Sequence, residues 1–125
     1  MFRRIPSPYF GLNYDPSHFV WQMMDYIAPI YEFKDRIFHV HFKDIKLYPE
    51  RLNQVGIMAY PLKFMQPKLP GLGDVNWDRY VSALTDIGYD GYACIEVEDR
   101  AFEGSRKKVE DSLVLSKRYL DQFVI

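Results

Sequence analysis

The chain has 125 residues, 48% hydrophobic and 26% charged, an ordinary globular composition that suffices for a single domain over residues 1–125. A formal net charge of −1 argues against a nucleic-acid binder that runs on bulk electrostatics; no apolar run approaches the ~20 residues of a membrane span, and the N-terminal Met-Phe-Arg-Arg-Ile-Pro-Ser-Pro lacks the apolar stretch of a signal peptide. The single Cys94 excludes an intrachain disulfide framework and fits a reducing, cytoplasmic setting, while 17% aromatic residues imply a large buried surface or one that meets something else.

Residues 1–9 are basic and broken by prolines, and read as a loop. Phe10 to Tyr14 reads as a short strand, stopped by Asp15-Pro16-Ser17 because Pro16 cannot donate to a ladder. From Phe19 to Phe33 the apolar residues Phe19, Val20, Met23, Met24, Ile27, Ile30 and Tyr31 fall at helical spacing, with a kink or break expected at Pro29. Lys34-Asp35-Arg36 is a polar turn, and Ile37 to Phe42 is a second strand. In residues 45–75, Pro49, Gly56, Pro61, Pro67, Pro70, Gly71 and Gly73 rule out one long helix; the stretch reads as a long irregular loop, which in a compact domain is usually functional. Asn76 is a fair cap for a helix over Trp77–Ile87, with Gly88 following it. Asp90-Gly91 turns into a third strand, Tyr92 to Val97. Ser105 opens a final amphipathic helix reaching Phe123, with Val109, Leu113, Leu115, Tyr119, Leu120 and Phe123 on its apolar side.

Strands alternating with helices imply an α/β fold with a parallel sheet and right-handed crossovers. In such folds the site lies beyond the carboxyl ends of the strands, where all three polar clusters of this chain fall. Strand side chains alternate between faces, so His39, His41 and Lys43 share one face, as do Glu96 and Glu98, and Asn13 and Asp15. Asp15, His41 and Glu96 thus converge. Carboxylates mixed with an imidazole suit Mn²⁺, Co²⁺, Zn²⁺ or Mg²⁺, and three ligands leave room for substrate oxygens. Each residue also has a bland reading. Asp15 is a turn former before proline, and His41 a hydrogen-bonded rim histidine. His39 is a packing residue, Met23 and Met24 are helix core, and Cys94 is a small buried hydrophobe. Glu98, Asp99 and Arg100 are solvated loop charges.

Four motifs carry a resemblance. They are Asn13-Tyr14-Asp15-Pro16-Ser17-His18, His39-Val40-His41-Phe42-Lys43-Asp44, Pro70-Gly71-Leu72-Gly73-Asp74-Val75-Asn76-Trp77, and Gly88-Tyr89-Asp90-Gly91 leading to Ile95-Glu96-Val97-Glu98-Asp99. Together they resemble the sugar phosphate isomerase/epimerase family of the xylose isomerase-like TIM-barrel superfamily, which also holds ketose 3-epimerases, inosose dehydratases and endonuclease IV. The resemblance runs from Phe2 to Phe123 and implies a partial (β/α)8 barrel comprising the last three βα units, the C-terminal fragment of a fold that takes about 250 residues in full.

The resemblance also implies roles. Asp15, His41 and Glu96 match metal ligands, with Glu96 also acting as an acid/base. His18 matches a histidine that contacts substrate or metal-bound oxygens, and so counts with Glu96 among the catalytic candidates. Lys43, Asp44 and Lys68 are candidates for substrate hydroxyl or phosphate contacts. The implied activity is a divalent-metal-dependent isomerase or epimerase acting on a sugar, sugar phosphate or polyol through an enediolate. A fourth ligand of the family, a glutamate that is also the second acid/base, has no counterpart here. The expected partners are therefore a small-molecule substrate and either further copies of the chain, as a homo-oligomer, or a complementing N-terminal half-barrel. The alternative is a catalytically inactive fragment that serves as a structural or oligomerisation module. A DNA-repair endonuclease is disfavoured, because that branch needs further His and Asp ligands and a basic groove.

Overall fold

The computed structural model describes residues 1–123. Three strands, β1 (Leu12–Tyr14), β2 (Ile37–Phe42) and β5 (Tyr92–Ile95), form a parallel sheet in the order β1-β2-β5. The register places Tyr14 opposite Val40, His39 opposite Tyr92 and His41 opposite Cys94. Helix α4 (Trp77–Asp86) covers one face of this sheet. Its buried Trp77, Tyr80, Val81 and Leu84 recur at the spacing of one helical face. Asn76 caps the helix by accepting a hydrogen bond from the Arg79 amide at 2.9 Å. Gly88 follows with φ +67°, a left-handed conformation that glycine adopts without strain.

The alternation of β2 divides its side chains between two environments. Val40 and Phe42 are buried against the helix, whereas His39 and His41 stay half-exposed on the other face. The core is aromatic. Phe42 meets Trp77 edge to face at 5.4 Å between ring centroids, and Tyr80 stacks on Tyr14 at 6.3 Å. Burying each such side chain contributes roughly 1.5–3 kcal/mol.

Several expected elements form differently. The single helix expected over 19–33 is two short ones, α1 (Ser17–Val20) and α2 (Ala28–Glu32). Met23 takes a left-handed φ of 57° between them. Asp25 then accepts hydrogen bonds from the Ile27 and Ala28 amides, and Pro29 sits in the first turn of α2, where its missing N–H leaves no helical bond unmade. Residues 45–75 are not structureless. β3 (Asp44–Leu47) pairs antiparallel with β4 (Met65–Lys68), and α3 (Pro49–Val55) and a turn at Pro61–Lys63 lie between them. This two-stranded arm leaves β2 through Lys43 alone.

Helix α5 (Arg106–Leu120) is capped by Ser105, which accepts from the Lys108 amide at 3.3 Å. Its buried side is Ser112, Ser116 and Leu120 rather than Val109, Leu113 and Leu115, which are exposed. Small serines let the helix approach closely, and their hydroxyls donate to the carbonyls of Val109 and Ser112. Cys94 is exposed, contrary to its reading as a buried hydrophobe, because it lies on the outermost strand of the sheet. No helix among the described residues is long and apolar enough to cross a membrane.

Candidate metal centre

β1, β2 and β5 run parallel, so their carboxyl ends meet at one rim. Beyond the last paired residues, the Glu96 amide donates to the Phe42 carbonyl at 3.3 Å, which holds Glu96 alongside β2. Asp15, His41 and Glu96 come together there, each offering one ligand atom, and the three atoms all lie within 4.8 Å of one another. His41 Nδ1 stands 2.7 Å from Glu96 Oε2 and 3.8 Å from Asp15 Oδ2.

The two oxygens of Asp15 differ. Oδ1 accepts the Ser17 amide at 2.8 Å, which is the turn-forming role expected of an aspartate before proline. Oδ2 faces the imidazole and is buried without a hydrogen-bond partner, the one such side-chain atom among the described residues. A buried oxygen left unpaired costs about 1–3 kcal/mol or more when charged, so its retention needs a reason. A cation between Oδ2, His41 and Glu96 would supply one, and two carboxylates with an imidazole are donors of the kind a divalent metal takes.

Neighbouring groups orient this cluster. Asn13 Nδ2 lies 3.1 Å from His41 Nε2. Lys43 Nζ lies 3.0 Å from Glu96 Oε1 and 2.8 Å from Glu98 Oε2. Burial works against the Lys43 ammonium, but the hydrogen bonds and charges of Glu98 and Glu96 outweigh it and raise its pKa. Lys43 is thus charged and bridges two carboxylates.

The remaining expected site residues divide. His18 Nε2 lies 3.6 Å from Asp15 Oδ2, with a side chain 62% exposed, so it stands at the mouth of the cluster. Asp44 does not face the rim. Its carboxylate is fully buried and accepts five N–H groups, from Ile45, Gly71, Gly73, Val75 and the Trp77 indole. Asp44 ties down the glycine loop, and any side chain at Gly73 would collide with its Oδ1 and with the Ile45 carbonyl. Lys68 pairs with Asp99 at 3.2 Å, and Asp99 also caps the turn at Arg100–Phe102. Both pairings hold the arm and the loop after β5 in place. Glu98 and Asp99 are therefore not free loop charges. The two-residue spacing of Glu96 and Glu98 was the sequence signal for the first. The buried pairing of Asp99 had none.

Residues 1–119 match the family model of the xylose isomerase-like TIM barrel. An inosose dehydratase of Lactiplantibacillus plantarum is 27% identical over 117 residues, covering 92% of this chain and 38% of the relative. The uncharacterized protein YfiH of Bacillus subtilis is 32% identical over 121 residues, covering 86% of this chain and 38% of the relative. The crystal structure of a xylose isomerase domain protein from Planctomyces limnophilus superposes with a TM-score of 0.69 over 98% of this chain and 42% of that one, at 23% identity. The chain thus spans about two-fifths of the length of the curated relatives it matches.

Proposed function

Because the chain belongs to the xylose isomerase-like TIM-barrel family, we propose that Asp15, His41 and Glu96 hold a divalent metal in an enzyme that acts on a sugar or polyol carbonyl compound. The unpartnered, buried Oδ2 of Asp15, facing His41 and Glu96, carries this reading. Manganese, magnesium, cobalt and zinc all accept such a donor set. Bound between these residues, a divalent ion would supply Lewis-acid polarisation of a substrate carbonyl and so acidify the adjacent C–H.

The chain's own residues do the rest. Glu96 takes the proton from the carbon next to the carbonyl, and Lys43 holds its carboxylate in place through Oε1. His18, exposed beside Asp15, is positioned to exchange a proton with a substrate oxygen. Returning the proton to the opposite face gives an epimer, and returning it to the neighbouring carbon gives an isomer. Losing a hydroxyl as water gives a dehydration product, the outcome named for the inosose dehydratase relatives. The test is exchange of substrate C–H protons with deuterated solvent, together with metal content by mass spectrometry. Absence of both after metal supplementation would remove the reading.

The active form has additional βα units, from further copies of the chain or from an N-terminal half-barrel. Among the described residues, β1 and β5 each have one unpaired edge, and an apolar cavity of about 460 Å³ lined by Phe2, Leu12, Phe19, Met24 and Phe33 lies beside β1. A neighbouring strand and helix would cover both. Light scattering that finds a folded monomer at micromolar concentration, with and without the half-barrel, would refute this.

A second reading, an inactive structural module, is favoured by one observation: His41 Nδ1 and Glu96 Oε2 already pair directly, at 2.7 Å. Unchanged metal content after supplementation would support it.

A further inference from the structure

Asp99 lies on the stretch that follows β5, and its side chain is 1% exposed. Its partner is Lys68, 31 positions away on β4, which donates to Oδ1 at 3.2 Å and to Oδ2 at 3.4 Å. Oδ1 also accepts the Ala101 amide at 3.0 Å. A buried carboxylate is tolerated when it is paired and hydrogen-bonded. Without its cation it must move toward water or take up a proton. The place of Asp99 is therefore set by Lys68.

Lys68 in turn has a fixed place. In the β3–β4 register it stands opposite Asp44, whose carboxylate is locked by five N–H groups at the base of the arm. At the other end of the chain of contacts is Glu96, three residues before Asp99 and so within about 10 Å along an extended backbone. The Glu96 amide donates to the Phe42 carbonyl, but beyond it the backbone of Val97 and Glu98 makes no hydrogen bond among the described residues. No ladder holds this stretch. Side chains hold it instead, Glu98 on Lys43 at 2.8 Å and Asp99 on Lys68. The Glu98 side chain is exposed and its pairing screened by water, whereas that of Asp99 is buried, so the second tie is the firmer one.

We propose that Lys68 and Asp99 are a positioning pair for Glu96. They pin the far end of residues 96–99 to the base of the arm, and so set where the Glu96 carboxylate stands against His41 Nδ1, 2.7 Å away. Lys68 acts through Asp99 and needs no contact with a ligand of its own. What this placement does for a bound metal rests on the metal-centre reading; the placement of Glu96 beside His41 does not.

The test reads the two separately. His41 is one of three histidines, so its ring resonances can be assigned, and with EDTA present at a single pH they report the carboxylate beside it. The Trp77 indole N–H, bonded to Asp44, reports the base of the arm in the same spectra. Lys68→Met is expected to shift the His41 resonances, to leave the Trp77 indole in place, and to lower Mn²⁺ affinity in calorimetry by about ten-fold. Lys68→Arg keeps a cation for Asp99 and should resemble the wild type. Asp99→Asn should shift the His41 resonances less than Lys68→Met. The double variant Lys68→Met/Asp99→Asn removes the stranded charge along with the cation, and should recover part of the lost affinity. The opposite pattern, with Asp99→Asn harmless and the double variant no better than Lys68→Met, is that of a lysine that contacts the ligand itself, and overturns the proposal. Unchanged His41 resonances in both Lys68→Met and Asp99→Asn overturn it too. Should Lys68→Met fail to fold, Asp99→Asn decides on the same resonances. A wild type that takes up no Mn²⁺, with His41 still shifted in Lys68→Met, upholds the pair and removes the metal-centre reading. Mn²⁺ binding that Lys68→Met leaves unaltered does the reverse.

Discussion

His41 Nδ1 and Glu96 Oε2 lie 2.7 Å apart, although they are 55 positions apart in the chain, and both face the unpartnered Oδ2 of Asp15. This juxtaposition motivates the first prediction. His41→Ala is expected to lower metal affinity at least ten-fold. Glu96→Gln is expected to abolish substrate proton exchange while leaving the far-ultraviolet spectrum unchanged. In the wild type, a metal at ~100 times its dissociation constant should stabilise the fold by about 2.7 kcal/mol, and EDTA should reverse the gain. Full exchange activity in either variant, or a melting temperature indifferent to metal, would sink the roles assigned here.

Asn13 fixes the orientation of the imidazole. Its side-chain amide lies 3.1 Å from His41 Nε2 and can bond that nitrogen in either tautomer, through its nitrogen or its oxygen. If Nδ1 served as a metal ligand, the proton would sit on Nε2 and Asn13 would accept it through its oxygen. Asn13→Ala should weaken Mn²⁺ binding by about ten-fold, read by calorimetry, with little change in melting temperature. Unaltered affinity would show that Asn13 is a bystander.

Asp44 is a structural residue on this geometry. Asp44→Ala leaves the amides of Gly71, Gly73 and Val75 and the Trp77 indole without their acceptor, and should destabilise the chain by about 3 kcal/mol or more in urea titrations. Asp44→Asn places an NH₂ group among N–H donors and should also destabilise. A loss below about 0.5 kcal/mol in both variants, the range of ordinary surface substitutions, would refute the buried anchor.

Alkaline pH should unfold the chain. Burial raises the phenol pKa values of Tyr14 and Tyr80 above the ordinary 10.0, and the Lys43 pKa lies above the ordinary 10.5, despite burial, because of Glu98 and Glu96. In each case the folded state retains the proton longer than the unfolded chain does. Their stabilisation is therefore fully present below the ordinary values and is lost as pH rises through the elevated folded ones. Melting temperature should fall above about pH 10, with the last tyrosines ionising only as the fold is lost. Complete tyrosine ionisation near pH 10 in a folded protein would contradict this.

Much of the fold was legible locally. The strand at Ile37–Phe42 follows from its β-branched and aromatic run, and the caps at Asn76 and Ser105 from a side-chain oxygen placed three residues before an amide it accepts. The β3–β4 arm was not legible. Its partners are separated by a helix and a turn, and Pro49, Pro61 and Pro67 read as breakers although each occupies a position that needs no N–H from it. The buried side of α5 was misread for a different reason. Hydrophobic residues mark a core face only when something covers them, and here the close contact is made through Ser112 and Ser116.

By itself, the sequence determined that Asp15, His41 and Glu96 each stand near the end of a strand and, by the two-residue period of strand side chains, which neighbours share their face. Only the tertiary structure decided what each charged group near them does. Asp44 turns inward because five N–H donors surround it, four of them from residues 27 to 33 positions away. Lys68 is held by Asp99, and the Lys43 ammonium is paired with Glu96 and Glu98. Local pattern places a side chain on a face, but its charge is compensated by groups that approach only when distant segments pack, and that compensation separates an anchor from a binding group.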